Sequence, residues 1–345
     1  MSVAHTLTKL LLPGLFLVLA FSVKAQLQSI IPQLVIPSDV DSLRTVADVE
    51  VWIVQHEPRK NYFYPRFLVD TTLIQFGLAC QKQCAKLLVE PWVKADFDGN
   101  GYADLLVLRR RSSKWTEGTE PWLFMNYGNQ QCEPRRLYGR GQGHCEQPTV
   151  IRLENRPAIV YFHAVTPLNS QPGNLVLPSV LQLDTLVFQH GAFMEYNRHP
   201  SKHQLEKIEI ASGLHDYDTA TEITILADRT AIYRQLKDYG AWGPFSSPRP
   251  VGSFQATVDT VSFNRIQRVL QIIRLRNATV SYTVNWTDAG TEHLRVSYDQ
   301  DKVFEVEDCG EQGTFGLNHL YSLLYKLRET QKWRPINDNN DTPTR

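Results

Sequence analysis

Apolar residues recur at the spacing of one helix face from Val46 to Gln55 and stop at Glu57-Pro58, which predicts a short helix there. Another stripe, Leu73, Phe76, Cys80, Cys84 and Leu88, follows the good N-cap Asp70 and closes before Pro91. A second helix is expected over 70–89. Leu105-Leu106-Val107-Leu108 is too short for a helix and reads as a buried strand, and from there to Tyr196 short apolar runs alternate with turn residues. Trp122 to Met125, Thr149 to Leu153, Ala158 to His163 and Thr185 to Phe188 are the strands that this pattern gives.

Around Asn197 to His203 the chain turns polar and carries Pro200, which marks an expected domain boundary. Beyond it the pattern predicts strands at Lys207 to Ile210, Glu222 to Leu226 and Ala231 to Leu236, then a Gly/Pro/Ser-rich stretch from Gly240 to Gly252. Asp259 can cap a helix with Phe263, Ile266, Val269, Leu270 and Ile273 on one face. Strands follow near Thr279 to Trp286, His293 to Tyr298 and Lys302 to Glu307. A last helix, from about Gly316 to Thr330, carries Leu317, Leu320, Leu323, Leu324 and Leu327. Helices and strands mix without strict alternation, so the fold class is α+β, with largely antiparallel sheet and packed amphipathic helices. The chain divides into an N-terminal domain over 26–198 and a C-terminal domain over 199–335, with a polar, disordered tail at 336–345.

The first 25 residues change the compartment. Lys9 precedes an apolar run from Leu10 to Phe21, and Val23-Lys24-Ala25 offers small residues for cleavage, the pattern of a secretory signal peptide with Gln26 as the mature N-terminus. The run is about a dozen residues, short of the roughly 20 that span a bilayer, and no later segment is longer, so no transmembrane span is expected. The formal net charge is 0, and losing Lys9 and Lys24 takes it to −2. That balance excludes broad attraction to nucleic acid, and the basic cluster Arg109-Arg110-Arg111 with Lys114 reads as a solvated loop. Export would place all five cysteines in an oxidising compartment. Cys132 and Cys145 bracket a turn-rich segment and are the expected disulfide. Cys80 and Cys84, four apart on a helix face, are too far apart to bond and are expected as buried thiols. Cys309 leaves the count odd.

The chemistry concentrates in Asp96-Phe97-Asp98-Gly99-Asn100-Gly101-Tyr102-Ala103-Asp104. Calcium takes six to eight oxygen ligands, and this spacing offers Asp96, Asp98, Asn100, the Tyr102 carbonyl and Asp104, with Gly101 making the sharp bend. An EF-hand would need a Glu at the twelfth position, which here is Val107 in a strand. Together with Leu105-Leu106-Val107 and with Leu123-Phe124-Met125-Asn126-Tyr127-Gly128, the loop resembles an FG-GAP or VCBS-type repeat. Such repeats form blades of extracellular β-propellers with calcium at each loop, and the resemblance implies Asp96, Asp98, Asn100 and Asp104 as ligands. One copy is present. Asp216-Tyr217-Asp218 and Asp299-Gln300-Asp301 share only the opening, so a complete propeller is not expected. Val306-Glu307-Asp308-Cys309-Gly310, with Leu317, Leu320, Leu324 and Trp333, resembles the bacterial exported domain of unknown function 6438, which implies export and a fold unit but no activity.

No Gly-x-Ser-x-Gly or His-Glu-x-x-His pattern occurs. His199 and His203 are four apart but separated by Pro200, Gly139-Arg140-Gly141-Gln142-Gly143 lacks a strand feeding a helix, and Cys309 with His319 lacks an orienting partner. The tryptophans are dispersed and read as packing residues. Two functions fit: a non-catalytic secreted calcium-binding protein that meets a protein or glycan partner, or an exported hydrolase whose site assembles only in three dimensions.

Overall fold

The structure is a computed structural model, described here for residues 36–56, 68–70, 89–112, 117–137, 146–165, 180–213, 221–236, 251–276, 278–284 and 290–336. Residues 1–35, the stripe at 73–88, Cys80, Cys84, Cys145, Asp216 to Asp218 and residues 337–345 lie outside those residues. Two helices, α1 (Asp39–Ser42) and α2 (Val46–His56), precede a four-stranded antiparallel meander of β1 (Trp92–Ala95), β2 (Asp104–Ser112), β3 (Glu117–Asn126) and β4 (Cys132–Arg136). A second such meander holds β5 (Gln147–Leu153), β6 (Arg156–Val165), β7 (Val180–Gln189) and β8 (Ala192–Glu195).

Strand β2 explains how the first sheet is held. Alternate side chains point to opposite faces, so Leu105 and Val107 meet Val40, Val49, Trp52 and Ile53 of α1 and α2. Leu106, with Leu123 and Met125 of β3, faces Ile159, Tyr161 and Leu186 of the second sheet. Burial on both faces is why the run is continuously apolar instead of alternating.

The remaining strands form one eight-stranded sheet: β9 (Leu205–Gly213), β10 (Thr221–Leu226), β11 (Thr230–Gln235), β12 (Gly252–Thr257), β13 (Ala278–Tyr282), β14 (Thr291–Tyr298), β15 (Lys302–Cys309) and β16 (Arg334–Pro335). Their order is β13-β15-β14-β9-β10-β11-β12-β16, antiparallel except for β13 beside β15. One face is apolar and carries α3 (Thr260–Ile272) and α4 (Phe315–Thr330). The other is wet and laced with cross-strand pairs such as Arg295 Nη1 to Glu305 at 2.7 Å. Asp259 caps α3 as expected, accepting from the Ser262 N–H at 2.9 Å. The fold is thus strand-rich, mixed and built of open, largely antiparallel sheets, with no closed barrel or propeller among the described residues. No described helix is long and apolar enough to cross a membrane.

Two readings of the sequence need correction. Arg109 and Arg110 are not in a loop: β2 runs through them, and Arg109 is 6% exposed, its guanidinium 5.7 Å from the Trp122 ring centre and 4.0 Å from Glu120. A planar, weakly hydrated guanidinium can be buried against an indole where an ammonium could not. Asp70, the expected N-cap, is buried beside β2, its N–H donating to the Leu108 carbonyl at 2.8 Å and its carboxylate accepting from the Thr119 hydroxyl at 2.9 Å, while the helix expected after it lies outside the described residues. The expected Cys132–Cys145 bridge is not formed, for Cys132 is a free thiol packed against the α1–α2 cluster. Burial, with the nearby Asp39, Asp104 and Glu133 charges, pushes that thiol up to about 12. Since the thiolate is the reactive form, Cys132 is expected to resist iodoacetamide at pH 8 in the native protein and to react once it is unfolded in urea. Rapid native labelling of the Cys132 peptide would contradict this packing.

Candidate metal centre

The acidic loop is the connection between β1 and β2, whose last and first residues, Ala95 and Asp104, face each other in the ladder. Phe97 pins it from below. Its ring is buried with Phe193 of β8 at 5.5 Å in an edge-on contact. Two turns then reverse the chain through Gly99 (φ 75°) and Gly101 (φ 91°), backbone angles that a side chain at these positions would strain.

The carboxylates hold the loop from inside. Asp96 Oδ1 accepts from the N–H groups of Gly99 (2.8 Å) and Asn100 (3.0 Å), and its Oδ2 accepts from Gly101 (2.9 Å). Asp104 is 0% exposed and accepts from Phe97 (2.8 Å) and Asn126 (2.7 Å). Asp98 sits nearer the surface and accepts from the N–H and the side-chain amide of Asn100, both at 3.1 Å. One oxygen from each of Asp96, Asp98 and Asp104 lies within 4.8 Å of the others. Burial pushes Asp104 up to about 7, against two backbone N–H bonds that favour its charged form, and the neighbouring Asp98 and Asp96 charges push the same way. Burial likewise raises Asp98, with Asp96 adding to it. Bringing negative charge together in this way is costly unless a cation compensates.

Of the expected ligands, the structure brings the three aspartates together. The Asn100 side-chain oxygen accepts from the Tyr102 N–H at 2.8 Å, and its amide donates to the Asn126 carbonyl at 2.8 Å. Asn126 is a positioning residue that the spacing of acids alone does not single out. It lies buried at the end of β3, donates to Asp104 through its backbone and to the Ala103 carbonyl through its side chain, and accepts from Gly128. Its signal in the sequence is its place at the strand end before Tyr127-Gly128. The Ile36 N–H, donating to the Gly101 carbonyl at 2.6 Å, ties the start of the described chain to the same loop.

The constellations set aside at the sequence level stay apart from this site. Asp299 to Asp301 form the β14–β15 turn, in which Asp299 accepts from the Gln204 N–H and meets His203 Nδ1 at 2.7 Å. Burial lowers His319 to about 4, and its Nε2 meets the His190 carbonyl at 3.1 Å. Two further groups of buried acids hold structure. Asp308, raised to about 6 by burial, accepts from the Gln312 and Gly313 N–H groups at 2.6 and 2.8 Å. Glu292, opposite it on β14, accepts from the Tyr325 hydroxyl.

An all-oxygen, carboxylate-rich donor set suits a hard cation such as calcium. Comparison of the chain with protein-family models, with curated proteins and with solved structures returns no match, so the case for a metal rests on the loop itself.

Proposed function

We propose that this chain is a non-catalytic secreted calcium-binding protein, in which the ion staples the β1–β2 loop and the surface so fixed serves an interaction or scaffold role toward a protein or glycan partner. The observation that carries the reading is the convergence of Asp96, Asp98 and Asp104 within 4.8 Å, two of them buried. Asn100 and the Tyr102 carbonyl complete the proposed ligand set, and the N-terminal segment supplies the argument for export. The resemblance to a single FG-GAP or VCBS-type repeat points the same way.

The alternative, an exported hydrolase, has two acid–histidine pairs on its side: the His203–Asp299 pair in the β14–β15 turn, and His163, whose Nε2 lies 2.7 Å from Asp184. The His163 imidazole is 0% exposed, on the sheet face that packs inward, where a substrate has no route to it, and Asp299 is engaged in holding its turn through the Gln204 N–H.

Thermal melts with calcium, with magnesium and with chelator test the calcium reading. Extracellular calcium modules bind at roughly 10⁻⁴–10⁻³ M, and at a hundred times the dissociation constant the native state gains about 2.7 kcal/mol. Calcium should therefore raise Tm. Magnesium should do so poorly, since it demands shorter bonds and octahedral geometry. Asp98→Ala should remove most of the calcium shift and leave the chelated protein as stable as the wild type or slightly more so, because one repelling carboxylate has gone. Identical wild-type melts in all three conditions would reduce the loop to an ordinary turn.

A further inference from the structure

A second concave site lies on the opposite kind of charge. Strands β7 and β8 are joined by the two-residue turn His190-Gly191, both in the left-handed region (φ 52° and 84°), the conformation of a tight hairpin. Against it lies one face of α3: Val261, Asn264, Arg265 and Arg268 line a cleft of 430 Å³ together with His190 and Gly191. These four positions follow the i, i+3, i+4, i+7 spacing of a single helix stripe. Among the described residues, no acidic side chain lines the cleft.

The cations differ in their freedom. Arg265 is fixed, its Nε and Nη2 donating to the His190 carbonyl at 3.0 and 2.7 Å. The φ of 84° at residue 191 favours glycine, and the absent side chain lets Arg265 approach so closely that a Cβ there would lie 2.2 Å from its Nη2. Arg135 donates to the Gly191 carbonyl at 2.6 Å, and the His319 ring meets the His190 carbonyl. The turn's two carbonyls are thus already taken by basic side chains. Arg268 and Asn264 are exposed and form no ion pair or hydrogen bond among the described residues. The excess of positive charge is felt by the His190 imidazole, which burial and then Arg268 and Arg265 hold below the ordinary histidine range. Concave sites lined by one sign of charge focus the field and concentrate counter-ions.

We infer that this cleft binds a tetrahedral oxyanion, the phosphate or sulfate group of a small molecule or of a modified chain. Arg268 and the Asn264 amide donate to the anion, and Arg265 supplies a fixed charge behind them. Guanidinium suits this task because its planar fork matches oxyanion geometry. The exposed Val261, at the rim, offers apolar contact to whatever carries the anion. The site stands on its own geometry and does not depend on calcium at the acidic loop.

The test is a titration of the full chain with sodium sulfate, sodium phosphate, sodium acetate and sodium chloride at constant ionic strength, read by the imidazole NMR resonances of His190. Sulfate, phosphate or both should give a saturable shift, whichever binds tighter naming the source. Arg268→Gln should weaken that binding roughly tenfold, the scale of one charge-assisted contact, with Tm unchanged in the absence of the anion. Asn264→Ala should weaken it less. A linear response equal to that of chloride, saturation with the same midpoint in Arg268→Gln, or acetate binding as tightly as both tetrahedral anions would each overturn the assignment.

Discussion

Asp104→Ala is expected to cost the calcium-free protein about 2–6 kcal/mol, and so to behave unlike Asp98→Ala although both remove a proposed ligand. Asp104 has no exposed surface, and each of its oxygens accepts one backbone N–H, from Phe97 and from Asn126. Alanine leaves both donors buried without an acceptor, at about 1–3 kcal/mol each. Raised as it is to about 7, the carboxylate stands in an unfavourable field, but either protonation state keeps oxygen in front of these donors. Asp104→Asn retains one acceptor and should fall between alanine and wild type. Urea unfolding at neutral pH in chelator measures all three. Stability of Asp104→Ala within about 0.5 kcal/mol of wild type, the noise of a surface substitution, would mean that the loop does not depend on this carboxylate for its fold.

Glu195→Ala should weaken the packing between the second meander and the eight-stranded sheet, at about 2–4 kcal/mol. Glu195 ends β8, and its carboxylate accepts from the first two N–H groups of α4, Phe315 to Oε1 at 2.7 Å and Gly316 to Oε2 at 3.0 Å. A negative charge there complements the helix dipole as well as satisfying donors that no intrahelical carbonyl reaches. Neighbouring contacts reinforce the joint: Phe315 meets Tyr161 edge-on at 5.5 Å, and Met194 of β8 belongs to the core under α3 and α4. Glu195→Gln keeps an acceptor but loses the charge, so it should lose less. The check is denaturant unfolding of both variants beside a Thr314→Ala control. Thr314 caps the same helix through a local bond to the Leu317 N–H, worth about 1 kcal/mol. A Glu195→Ala loss no larger than the control's would show that the cross-sheet cap contributes nothing beyond a local one.

Much of this was legible from the chain. The helices at 46–56, 260–272 and 315–330 follow directly from apolar stripes and, for α3, from its Asp cap. The buried strand at 105–108 follows from an apolar run too short to be a helix. The strands the pattern passed over are β1, β4, β8, β12 and β16: β1, β4, β8 and β16 lie at sheet edges, and β12 is flanked on its outer side only by the two-residue β16. An edge strand packs on few partners, so it carries little alternation and tolerates residues such as Pro134 in β4.

What the sequence determined by itself is therefore the local framework: which segments are helix or strand, and an acidic loop whose spacing brings three carboxylates together because all lie within nine residues. The tertiary structure alone decided which faces meet. It buried Arg109 on Trp122, turned Cys132 into the α1–α2 core, set Glu195 on a helix 120 residues away and laid Arg265 across the His190-Gly191 turn. Periodicity records that a face is apolar or a residue charged, but not its partner, because that choice is made by the packing of whole sheets and helices against one another.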